Sequence, residues 1–91
     1  MAELEDSSQP RLAPGCRWSG EGAERTLVFP EGALRLQETA RAILERCDGQ
    51  RTFKQIVEEL AGAYNSSDPA KIRQDAMTFL ERLRQKRLVD F

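Results

Sequence analysis

A nucleophile needs a base beside it, and a metal ion needs converging donors. The 91-residue sequence offers neither. It contains no His, so the commonest general base and the commonest metal ligand are both missing. Its two thiols, Cys16 and Cys47, form no CxxC pair and are too few for a four-Cys zinc site. Cys47 falls on an apolar helical stripe, where a buried thiol is inert. A Cys16–Cys47 bridge competes with a reading of both as small core residues. The lack of an export signal favours the free thiols. Tyr64 ends another apolar stripe and packs there with its hydroxyl at the rim. Asp48 closes a helix, where a turn or capping role suits it. No P-loop and no G-x-G-x-x-G occurs. The expectation is a binding module with no catalytic, cofactor-binding or metal-ligating residue.

Binding chemistry is better supplied. Residues 71–87 hold Lys71, Arg73, Arg82, Arg84, Lys86 and Arg87 against Asp75 and Glu81, a local charge of +4. The whole chain carries −1, so the remainder carries −5. At about 100° per residue the apolar stripe of this segment centres on Ile72, Ala76, Phe79 and Leu83. Met77 lies off that centre, on a flank with Arg73, Leu80 and Arg84. An adaptable Met framed by two Arg fits a groove for a partner segment. The second feature is the short run Ala33–Leu36. At a sheet edge its free N–H and C=O groups would pair with an extended peptide.

The elements that position these residues follow from periodicity. Residues 1–10 are acidic and polar and read as a flexible tail. Residues 11–91 form one domain. Cys16-Arg17-Trp18, Thr26–Phe29 and Ala33–Leu36 read as a small three-stranded antiparallel sheet, with Pro30-Glu31-Gly32 as a turn. After Leu36 the period changes from two to 3.6. Ala40, Ile43, Leu44 and Cys47 mark a first helix, with Gly49 placed to end it. Thr52-Phe53-Lys54-Gln55 is a capping box opening a second helix, buried through Phe53, Ile56, Val57, Leu60, Ala61 and Tyr64. Asp68-Pro69 supplies an N-cap and an N1 proline for a third helix, which runs to Lys86-Arg87. Leu88-Val89 then folds back on the core. The fold class is α+β: an N-terminal sheet, then three helices, in the manner of a winged helix-turn-helix.

Three blocks make the sequence familiar. They are Val28-Phe29-Pro30-Glu31-Gly32 with Leu34-x-Leu36, then Thr39-Ala40-x-Ala42-Ile43-Leu44, then Cys47-Asp48-Gly49-x-Arg51-Thr52. With Ile56-Val57-x-x-Leu60 and Asp75-x-x-x-Phe79-Leu80-x-x-Leu83, the chain resembles the PqqD family over roughly residues 10–89. These are the peptide chaperones of pyrroloquinoline quinone (PQQ) biosynthesis. The resemblance implies a RiPP recognition element, the domain type that binds the leader of a ribosomally made, later modified peptide. It implies a non-catalytic protein that binds the precursor peptide PqqA and presents it to the radical SAM enzyme PqqE. It further implies that the peptide adds beside the third strand and packs on the third helix. On this chain those walls are Ala33, Leu34, Arg35 and Leu36, with Arg73, Met77, Leu80 and Arg84. Departures from the family pattern include Gln37 for a frequent Asn, Phe29 for a frequent Tyr, the lack of a Gly often found near Arg87, and a helix end made more basic by Lys86-Arg87.

Two other classes compete: a recognition element of another modified-peptide pathway, and a winged-helix DNA binder. Against DNA, the chain is slightly acidic and no Arg/Asn/Gln cluster sits at a helix start to read base edges, so no nucleic acid partner is expected. A quinone-binding use of Trp18, Phe29 and Phe53 competes with their plainer role as core. No apolar run is long enough to span a membrane, which with the free thiols gives a cytoplasmic expectation. A monomer is expected as the active form, with a strand-exchanged homodimer as its competitor.

Overall fold

The computed structural model describes residues 4–22, 25–65 and 67–91. The order is β1 (Arg11–Leu12), β2 (Arg17–Ser19), β3 (Thr26–Phe29), β4 (Gly32–Arg35), α1 (Glu38–Glu45), α2 (Phe53–Ala63), α3 (Pro69–Gln85) and β5 (Val89–Asp90). The three strands expected from the sequence form an antiparallel sheet in the order β2-β3-β4. Leu27 pairs with Leu34 across β3 and β4. That places Leu27 in the core and Leu34 against it, while Ala33 and Arg35 face out. The fold class is therefore α+β, as the periodicity indicated.

The helices follow their caps. Thr52 Oγ1 accepts from the Gln55 N–H at 3.2 Å, and Gln55 Oε1 accepts from the Thr52 N–H at 2.9 Å. Asp68 accepts from the Lys71 N–H at 3.2 Å, ahead of Pro69. The core gathers Leu27, Ile43, Leu44, Phe53, Ile56, Leu60, Ala76, Leu80, Leu83 and Val89. Three expectations need correction here. The first helix ends at Glu45 with Arg46 as its C-cap, so Cys47 lies beyond it, buried, its thiol donating to the Ile43 carbonyl at 3.3 Å. Gly49 is accordingly no helix cap. It turns the corner into α2 at φ +78°, a conformation that suits glycine, and donates to the Pro10 carbonyl. Leu36, expected at the end of a strand, lies in the β4–α1 link.

The largest correction concerns the N-terminal segment. Residues 4–10, expected as a flexible tail, are packed on the helices; Met1–Glu3 lie outside the described residues. Leu4 is 5% exposed and Pro10 is fully buried. The Asp6 and Ser8 carbonyls accept from the Lys54 and Phe53 N–H groups, which as first-turn donors have no partner inside α2. Asp6 also takes an ion pair from Arg73 at 3.0 Å. The chain then enters β1, which pairs with β5 as a separate two-stranded sheet. Composition hid this because the attachment rests largely on backbone carbonyls and on two isolated apolar side chains, Leu4 and Pro10, which form no periodic stripe.

Candidate functional site

The first wall of the candidate site is β4. It pairs with β3 on one side and with no described strand on the other. The two-residue turn Pro30-Glu31 closes on the Phe29–Gly32 pair. In such a hairpin the closing pair exchanges hydrogen bonds and pairs alternate outward. Ala33 and Arg35 thus turn their N–H and C=O groups to the open edge. Both residues are exposed, and Leu34 between them points to the core.

A candidate second wall lies at the helix ends. Where the starts of α1 and α3 meet the end of α2, a cavity of about 450 Å³ opens. Its apolar lining is Ile43, Leu60, Ile72 and Ala76, with Tyr64 and the polar residues Thr39, Asn65, Ser67, Asp68, Lys71 and Asp75 around it. Tyr64 is the one exposed large hydrophobic side chain among the described residues, at 41%. Arg35 and Thr39 are four residues apart, so the cavity begins within about 14 Å of the end of β4 along the chain.

The helix flank chosen from charge points elsewhere. Arg73 is engaged by Asp6 and its guanidinium lies 5.5 Å over the Phe53 ring. Arg84 lies 5.0 Å over the Phe91 ring. Met77 is half-buried against the core, and Leu80 is fully buried. Leu80 is therefore a core residue and offers no surface to a ligand. Arg73 and Arg84 sit against the two terminal segments, while the Ile72–Asp75–Ala76 side of α3 faces the cavity. Sequence reasoning named Ile72 and Ala76 as core and left Asp75 and Tyr64 without a binding role. The available signal was Asp75, an unexplained carboxylate beside an apolar stripe.

The corner between α1 and α2 accounts for the Cys47-Asp48-Gly49-x-Arg51-Thr52 block without any ligand. Asp48 accepts from the backbone of Gln50 and Arg51 and from the Arg51 guanidinium, at 2.9, 2.9 and 2.7 Å. Those backbone donors, Arg51 first, hold its carboxyl below the ordinary value. Glu59 joins Arg51 and Arg46 across the corner at 2.8 and 3.2 Å. Burial pushes the Cys47 thiol up to about 12, which removes it as a nucleophile. Among the described residues no cluster of metal-ligating side chains occurs.

The family described as "Coenzyme PQQ synthesis protein D (PqqD)" matches residues 24–89. The chain belongs to the PqqD family. The match spans the β3–β4 hairpin, the corner and all three helices. Among PqqD relatives, a "PqqA binding protein" of Stutzerimonas stutzeri is 35% identical over 83 residues, 89% of this chain and 88% of that one. A protein of the same name from Methylococcus capsulatus is 38% identical over 80 residues, 86% and 83% of the two chains. The solution structure of the PqqD truncation of Methylobacterium extorquens PqqCD superposes with a TM-score of 0.79 at 33% identity, over 97% of this chain and 95% of that one. That PqqD domain is described as a functional, stand-alone RiPP recognition element.

Proposed function

We propose that this chain is a non-catalytic peptide chaperone of PQQ biosynthesis that binds PqqA and presents it to the radical SAM enzyme PqqE. The observation that carries the reading is the open edge of β4, followed four residues along the chain by a cavity floored by Ile43, Leu60, Ile72 and Ala76. The family membership says which peptide to try first. The peptide would add as a strand beside Ala33, Leu34, Arg35 and Leu36 and turn one apolar side chain into the cavity. On α3 the geometry favours Ile72 and Asp75 over Arg73, Met77 and Arg84, which are occupied by the protein itself or by its core.

The energetics suit a reversible carrier. Edge hydrogen bonds contribute about 0.5–1.5 kcal/mol each, and one buried apolar anchor about 1.5–3 kcal/mol. After ordering costs, micromolar affinity near −8 kcal/mol is expected, weak enough to hand the peptide on. Among the described residues no helix is long and apolar enough to cross a membrane. Action in the cytoplasm as a monomer fits the reading, because strand exchange through β4 would consume the peptide's edge.

The test is a titration of isotope-labelled protein with synthetic PqqA peptide, followed by NMR. Shifts on Ala33–Arg35 and around Tyr64, Ile72 and Asp75 are expected. Shifts confined to Arg73, Met77 and Arg84 would put the peptide on the other flank of α3. No shift at millimolar peptide would overturn the reading, and a DNA titration would follow.

A further inference from the structure

Asp75 is exposed on α3 at the edge of the cavity, one turn from Ile72 and adjacent to Ala76, on the side where the apolar lining ends and Asp68, Lys71 and other polar residues begin. Its side chain makes no ion pair or hydrogen bond among the described residues. The other carboxylate of the cavity, Asp68, is committed to capping α3, where it accepts from the Lys71 N–H at 3.2 Å. Lys71 lines the same cavity four residues earlier, a spacing that permits an ion pair, yet the two do not join. A cavity with an apolar floor of Ile43, Leu60, Ile72 and Ala76 and an uncommitted carboxylate at its lip selects a ligand of mixed character.

We infer that Asp75 is a specificity-determining residue that reads a lysine or arginine in the bound peptide, next to the apolar side chain that fills the cavity. The inference rests on the peptide-binding reading above and deepens it. In an extended segment neighbouring residues are about 3.3 Å apart along the strand and point to opposite faces. A residue one or two positions from the anchor can therefore bring its cation over the lip while the anchor sits on Ile72 and Ala76. Long basic side chains suit this geometry, since their methylenes lie on apolar surface while the charge reaches out. Lys71 opposes the same cation, so among the cavity's charged side chains Lys71 acts against Asp75, while Asp68 is held at the N-cap of α3.

The experiment is calorimetric titration of synthetic PqqA peptide into wild type, Asp75→Asn, Asp75→Lys and Lys71→Gln at low and physiological salt. Circular dichroism of each variant checks the fold, which an exposed position should leave intact. Asp75→Asn should bind about three- to fivefold more weakly, the size of one exposed ion pair. Its affinity should also depend less on salt. Asp75→Lys should lose more, and Lys71→Gln should bind slightly more tightly. Replacing the peptide's cationic residues by Gln, one at a time, should reveal one position that weakens binding to wild type but not to Asp75→Asn. Equal affinity of wild type and Asp75→Asn, with no such position, would overturn the inference and leave the peptide-binding reading standing. Failure of wild type to bind the peptide at all would overturn both.

Discussion

At Asp48 a single carboxylate does the work of three partners in the corner between α1 and α2. It terminates two backbone N–H groups and an arginine, and the backbone donors dominate its depressed pKa. The sign follows from linkage: a carboxyl held below its ordinary 3.8 in the folded state stabilises that state above its unfolded pKa. The contribution is lost as pH falls through the folded value. Asp48→Asn keeps the acceptor oxygen and removes the charge. It should be less stable than wild type at neutral pH, with the gap in urea midpoints closing in acid. A gap that persisted at the acid end would assign the role to shape alone. The residues of this corner were legible as a motif because each type has one job there: Cys to bury, Asp to accept, Gly to turn, Thr to cap. Their spacing did not reveal that the job was architectural. Only the contacts show Arg51 turned back onto Asp48 and Glu59 rather than outward.

Among the elements, α3 shows both what periodicity tells and where it stops. Its start was readable from Asp68-Pro69, and its stripe from the 3.6 period. Its end is a reversal in which the Leu88 N–H reaches the Leu83 carbonyl at 3.0 Å and the Arg87 N–H reaches the Arg84 carbonyl at 2.9 Å. Leu83 and Leu88 are both buried beneath it. The residue at the hinge, Arg87, has φ +62°, where an L side chain is disfavoured and glycine is at ease. This is the neighbourhood in which PqqD-like chains were expected to carry Gly. Arg87→Gly should therefore gain about 0.5–1 kcal/mol in urea unfolding, after allowing for glycine's freedom in the unfolded chain. A loss of stability would mean that the Arg87 side chain holds a contact that outweighs the strain. The choice between the two flanks of α3 was beyond the sequence, since both are bounded by polar residues at similar angles from the stripe. Charge favoured Arg73 and Arg84. Tertiary packing spent those cations on Asp6 and Phe91 and turned Asp75 to the cavity side.

For the molecule as a whole, the segment before β1 is part of the folded unit. Leu4 enters the same core cluster as Phe53 and Leu80, and the carbonyls of residues 6 and 8 finish the start of α2. Leu4→Ala should cost about 2 kcal/mol, the low end for a buried leucine, read as a lower urea midpoint at unchanged slope. An effect near zero would show that the segment detaches at no cost. The β1–β5 pairing was equally hidden, because two-residue strands leave no period to detect. That ladder joins Arg11 to Asp90 and Leu12 to Val89. Its two chains run antiparallel, and the outer pair is the one nearest both termini. Tension applied between the ends would first peel residues 4–10 and then open the ladder one pair at a time, as a zip rather than in shear. The domain would yield to a gentle pull at its clasp while the β2-β3-β4 sheet, which lies between the clasp strands in sequence, bore no load until the clasp had opened.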